Sequence, residues 1–202
     1  MVRIRQLPRV TDTDALPSLS SLGEEDPLTC DCALSGAGIL DLLIDVRRLE
    51  IMVLLDMRSA DCYLGSNAAL LVGRSFHDLV FPRHPNARPP SPIGRPMGCN
   101  RMRRSEDGIQ LEISVEYVGD WDFSFTAPRL QFFLLNVPHI IDPLPSYGYP
   151  GDVSEEIIED NLPTWDTDAT IIAYSETGPH PRSARGTLRH IVRSLLPHNR
   201  KA

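Results

Sequence analysis

The residue pattern predicts a mostly β chain, folded as an antiparallel sandwich or strongly curved sheet, with one or two short helices near the C-terminus. Three observations carry this. Ile109, Leu111, Ile113, Val115 and Tyr117 alternate without a break with Gln110, Glu112, Ser114 and Glu116. That is the two-residue period of a strand with one buried and one wet face. Residues 40–46 and 51–57 form two apolar runs of strand length, separated by Arg47, Arg48 and Glu50. Residues 130–137 are apolar on both faces, as a central strand requires.

In chain order, residues 1–28 are polar and rich in Pro, Ser, Asp and Glu, and are predicted to be a flexible N-terminal arm. Residues 29–175 form the predicted β-rich domain. Within it, Leu43-Ile44-Asp45-Val46-Arg47 is echoed eleven residues later by Leu54-Leu55-Asp56-Met57-Arg58, an offset that suits two adjacent antiparallel strands and a tight connection. Another strand follows the turn-like Gly65-Ser66-Asn67 at 68–72, and a short one is expected at 76–81. Residues 82–104 hold six prolines and six arginines with no acid. Proline gives no ladder donor, so this stretch is predicted to be an exposed Pro/Arg-rich loop.

Glu106-Asp107-Gly108 is a turn before the alternating strand. Trp121, Phe123 and Phe125 then alternate with Asp122, Ser124 and Thr126, making a hairpin partner. Residues 152–162 pattern as a short acidic helix capped by Asp152, and 169–174 as a last strand. Residues 176–202 form a basic C-terminal segment with an amphipathic helix. There Leu188, Ile191, Val192, Leu195 and Leu196 share one face, and Arg185, Arg189 and Arg193 mark the wet side. An isolated helix of about eleven residues is marginal in water. Its stripe must therefore be covered, by the chain's own sheet or by another chain. Arg185, Arg189, Arg193, Leu188, Ile191 and Leu195 are the candidate partner contacts.

Composition narrows the class. At 202 residues the chain has the size of about one domain. A net charge of −7 disfavours general nucleic-acid affinity. No long apolar run predicts a membrane span, and the N-terminus does not pattern as a signal peptide. Both favour a soluble, cytoplasmic protein, in which Cys30, Cys32, Cys62 and Cys99 are expected to be reduced thiols. Of the 20 basic residues only Lys201 is lysine, a skew that fits a GC-rich coding genome.

Signatures of catalysis do not emerge. The sequence has no phosphate-binding loop, no zinc-protease motif, no nucleophile elbow and no CxxC pair. Gly36-Ala37-Gly38 begins a dinucleotide-binding pattern, but Asp41 stands where the third glycine belongs. Cys30-Asp31-Cys32 would place two thiols on one strand face. A metal there needs two more ligands, which Cys62, Cys99, His77 or His84 would have to supply. The simpler account is a pair of small residues near the start of a sheet. Asp45 with Arg47, and Asp56 with Arg58, fit a cross-strand ladder of opposite charges better than an acid–base pair. No two of His77, His84, His139, His180, His190 and His198 have metal-ligand spacing. No cofactor or metal is expected.

The runs LLIDVRRLEIMVLLDMRSA, GSNAALLVGR, GIQLEISVEY, LNVPHI and NLPTWDTD together resemble a family of uncharacterised actinobacterial proteins of similar length and β-rich content. Its marks are a D-x-R strand end, an N-T-x-x-L-V strand and a late LPxWDS segment. Here Asn67-Ala68-Ala69 departs from the N-T start, and residues 162–168 are LPTWDTD. The resemblance covers about residues 29–170 and implies no activity. The expectation is therefore a non-catalytic cytoplasmic protein that binds another protein, as an immunity or accessory factor does. Two alternatives stay open: an enzyme whose site is assembled from separate loops, and a weak nucleic-acid binder acting through the arginine segments at 82–104 and 182–201.

Overall fold

The computed structural model describes residues 1–10, 12–58, 60, 62–63, 65–80, 95–115, 123–140 and 162–178. Ten strands run through these residues: β1 (Val2–Arg3), β2 (Gly38–Asp45), β3 (Glu50–Asp56), β4 (Ala68–Arg74), β5 (His77–Val80), β6 (Arg95–Ser105), β7 (Gly108–Val115), β8 (Phe123–Ala127), β9 (Arg129–Asn136) and β10 (Asp168–Thr177). They hydrogen-bond in the order β1-β10-β9-β4-β3-β2-β6-β7-β8-β5. Every paired neighbour is antiparallel, and the ribbon curls into a half-barrel with a second sheet facing it. The mostly β, curved antiparallel fold predicted from the sequence is the one found.

The core explains the curl. The five-strand half β10-β9-β4-β3-β2 turns Ile51, Val53, Leu55, Leu71, Leu130, Phe132 and Leu134 inward. The half β6-β7-β8-β5 meets them with Ile109, Leu111, Ile113, Phe123 and Phe125. The alternating Ile109, Leu111 and Ile113 are the inner face of β7, and β9 is buried along nearly its whole length. Contact across the core is close enough to demand glycine at position 73. A Cβ there would lie 2.4 Å from the Phe125 ring and 2.9 Å from Ile51.

The five-strand half is apolar on its other face as well, through Met52, Leu54, Leu70, Val72, Phe133 and Leu135. Such a face must be covered, and the first residues of the chain cover part of it. Ile4–Arg9 is a 3-10 helix in which Ile4 and Leu7, one turn apart, are fully buried. Backbone bonds from Ile4 N to Thr167 O (3.0 Å) and Arg5 N to Trp165 O (3.1 Å) lay this segment beside the entry to β10. The flexible arm expected at 1–28 is thus corrected: these residues belong to the fold. Two apolar side chains at 3-10 spacing in a polar stretch are too short a pattern for sequence reasoning to separate from a solvated tail.

A second 3-10 helix, Leu19–Leu22, buries Leu19, and the chain then winds along one side of the core with Leu28 and Leu34. One amide organises that winding. The fully buried Asn100 accepts from Leu34 N (2.9 Å) and donates to Pro27 O (3.0 Å) and Cys30 O (3.3 Å). Ser175 Oγ donates to Asp26 Oδ2 at 2.5 Å and ties the loop to β10.

Two further expectations change. Residues 95–104, predicted as part of an exposed loop, form most of β6. The strand begins at the end of the proline cluster, with Pro96 opposite Gly38 at its edge, and residues 97–105 then supply the partner that β7 requires. Residues 30–32 are a turn, not a strand. Residues 81–94, the acidic helix predicted at 152–162 up to residue 161, and the basic segment from 179 onward lie outside the described residues.

Candidate interaction site

The β2–β3 hairpin has two ends of opposite character. At the Asp56 end, Arg58 folds back and grips Asp56 with Nε at 2.9 Å and Nη2 at 2.7 Å. Their side chains are 0% and 3% exposed. At the other end Asp45 Oδ1 accepts from the backbone N–H groups of Arg47 (3.0 Å) and Arg48 (3.2 Å). This Asx turn shapes the connection and leaves the side chains that follow in solvent. In the strand register Asp45 faces Glu50 and Asp56 faces Gly38. The predicted cross-strand charge ladder is therefore corrected: each carboxylate serves its own turn.

The exposed end is unusually apolar for a turn. Val46 is 73% exposed, Leu49 48% and Leu43 39%. Leu49 is also held at φ 52°, a left-handed conformation. That costs a non-glycine residue about 1–2 kcal/mol, and turns normally place Gly or Asn there. Its carbonyl accepts from Phe76 N at 3.0 Å, which fixes the turn on its neighbour.

Beside this tip lies a cleft of about 410 Å³. Its floor is the outer face of two cross-strand pairs, Leu43–Met52 and Asp45–Glu50. Arg5, Pro8 and Arg9 form one wall, and the turn with Val46, Arg47 and Arg48 forms the other. Arg5 is held by Asp166 at 2.6 Å, and Arg48 lies 3.7 Å from Asp45. Glu50 is neutralised by Arg74 Nη1 at 2.7 Å. Among the described residues Arg9 and Arg47 have no ion-pair partner, so the cleft presents unspent positive charge.

Behind the wall, a polar strip runs across β3, β4, β9 and β10. Arg74 Nε donates to Gln131 Oε1 (2.7 Å), and its Nη2 donates to Pro8 O, pinning the N-terminal segment. Gln131 Nε2 donates to the Tyr174 hydroxyl at 2.7 Å. Arg129 grips Glu176 with Nε at 2.5 Å and Nη2 at 2.6 Å, and the Tyr174 hydroxyl donates to the same carboxylate. Burial pushes the Glu176 carboxyl up, but the hydrogen bonds from Arg129 and Tyr174 outweigh it and hold it below the ordinary range. Burial, and then the bond to Glu176, push the Tyr174 hydroxyl up. The charged groups here are paired with one another, which marks the strip as structural.

Two of the cysteines are accounted for by their surroundings. Cys32 is disulfide-bonded, which corrects the expectation of four reduced thiols. Cys30 donates to Glu25 Oε2 at 3.4 Å. That carboxylate, with desolvation adding to it, pushes the Cys30 thiol up and away from the reactive thiolate. Tyr63 is buried in the core with no partner for its hydroxyl among the described residues, and burial pushes that hydroxyl up. Among the described residues no group of three or more His, Cys, Asp or Glu side chains is placed to hold a metal ion. His77 lies 3.5 Å from Asp78, and His139 is exposed. No described helix is long and apolar enough to cross a membrane.

The partner contacts predicted from sequence, Arg185, Leu188, Arg189, Ile191, Arg193 and Leu195, lie outside the described residues. What sequence reasoning missed is the hairpin tip. Its only signal was the pair of apolar residues flanking Arg47-Arg48, where a turn ordinarily carries Gly, Asn or Asp. Comparison with family models, with curated proteins and with solved structures finds no match for this chain.

Proposed function

We propose that this protein is a non-catalytic binding module that recognises another protein through the β2–β3 hairpin tip and the cleft beside it. One observation carries the reading. Leu43, Val46 and Leu49 all stand exposed at one end of the β2–β3 hairpin, and Leu49 occupies a strained backbone position. Apolar side chains on a fixed scaffold with arginines around them are the composition of a protein-recognition patch. Backbone strain retained at an exposed apolar residue is the kind of cost that recognition sites carry. The Cys32 disulfide favours an oxidising setting over the cytoplasmic one expected from composition.

The test is affinity capture from the organism of origin, comparing the full chain with a Val46→Asp/Leu49→Asp variant. The expected result is a protein retained by the first and lost by the second, while the thermal midpoint stays the same. The same protein set with both baits overturns the reading.

A further inference from the structure

Resting on that reading, we infer that the cleft beside the tip takes an extended, acidic segment of the partner protein, with carboxylates meeting Arg9 and Arg47 and apolar side chains meeting Leu43 and Met52. Charge complementarity argues the first half. Four arginines line the cleft: Arg5, Arg9, Arg47 and Arg48. Arg5 and Arg48 are each drawn to a carboxylate, whereas Arg9 on one wall and Arg47 on the other have none among the described residues. A guanidinium's planar fork matches a carboxylate in two-point contact.

The floor argues the second half. Leu43 and Met52 make an apolar strip between the walls, and Leu43 is partly open to solvent. An inorganic anion would leave that strip unused. A nucleic-acid backbone, charged throughout, would leave it unused as well. Acidic side chains that alternate with apolar ones satisfy both features.

Among the described residues, the two-residue period of β2 sets the shape of the guest: Leu43 and Asp45 share the cleft face, which suits an extended segment. β2 pairs with β6 only at Gly38 and Ile39. Among the described residues no strand pairs with the stretch from Asp41 to Asp45 on that side. A bulge between Ile39 and Asp41 bends β2 where the β6 pairing stops.

The experiment is fluorescence anisotropy on the full chain with a labelled peptide of about ten residues, alternating Glu and Val at strand period. Competitors are inorganic phosphate at matched ionic strength and a single-stranded oligonucleotide of equal charge. The peptide is expected to bind with an affinity that falls with salt. Arg9→Glu/Arg47→Glu is expected to weaken it at least about tenfold, and neither competitor is expected to displace it. Arg47→Ala, in an exposed turn, gives a smaller loss in the same direction should the double variant fold poorly. Unchanged peptide affinity in both variants, or displacement by phosphate or oligonucleotide, overturns the inference. The two readings separate in the capture assay. A partner lost with Val46→Asp/Leu49→Asp but kept with Arg9→Glu/Arg47→Glu leaves the binding module standing and removes the acidic segment.

Discussion

The two Asp-x-Arg units of the β2–β3 hairpin are nearly the same in sequence and opposite in use. Asp45-Val46-Arg47 ends β2 where the hairpin projects. Its carboxylate caps a turn, its valine stands in solvent and its arginine faces the cleft. Asp56-Met57-Arg58 ends β3 where the chain enters the core. Its methionine is buried, and its arginine is folded onto the carboxylate with no exposed surface. Burial alone assigns the roles. In water an Asp–Arg pair is worth little, so the residues are available to a partner. In the interior the same pair cannot be parted without stranding a charge.

The sharpest test of that contrast is to remove the two arginines separately. Arg58→Ala leaves Asp56 buried and uncompensated, and should cost about 3–5 kcal/mol of folding stability. Arg47→Ala should cost less than about 0.5 kcal/mol, as surface changes do. Urea denaturation measures both, and equal costs would break the comparison.

The buried end has a second support. Asn67 donates from Nδ2 to Val137 O at 2.8 Å and accepts from Val137 N at 2.7 Å, both out of water. Asn67→Ala leaves two backbone groups unmatched, and the expected loss is about 2–4 kcal/mol in the same assay. A loss near zero would mean that the clamp is not what holds this end.

At the exposed end the prediction reverses sign. Leu49→Gly relieves the left-handed strain, and should leave folding unchanged or raise it by about 1 kcal/mol. Partner capture should weaken. A variant that gains stability and keeps full binding would remove Leu49 from the recognition surface.

The smallest effect concerns acid. The folded Glu176 carboxyl sits below its ordinary value of 4.5, so its ionised form favours the native state. That contribution is present above the ordinary value and is lost as pH falls through the folded one. Denaturation midpoints from neutral pH downward should therefore decline, and Glu176→Gln should flatten the decline. An unchanged slope would place the acid sensitivity elsewhere.

Much of the sheet was legible because strands with one wet face write their period into the sequence. Residues 109–115 alternate, residues 130–137 carry apolar side chains on both faces, and the paired runs of β2 and β3 are spaced as a hairpin. The rest was hidden for identifiable reasons. Ile4 and Leu7 sit in a polar stretch whose docking depends on a sheet face assembled from distant strands. β6 carries arginines because much of its described length is solvent-facing, and its proline lies at its start. The candidate site was the least legible part. Asp45-Val46-Arg47 and Asp56-Met57-Arg58 look alike until burial is known, and the cleft exists only where residues 5–9 meet a turn some forty positions away.

The same few residues that plug the sheet's outer face also wall the cleft, so a guest and the N-terminus share one thermodynamic cycle. Whatever free energy the seated 3-10 turn lends to an arriving peptide, the peptide must return by holding that turn in place. Amide hydrogens that this turn and its neighbours bury should then exchange with solvent more slowly once the cleft is filled, even though Ile4 and Leu7 touch no part of the visitor.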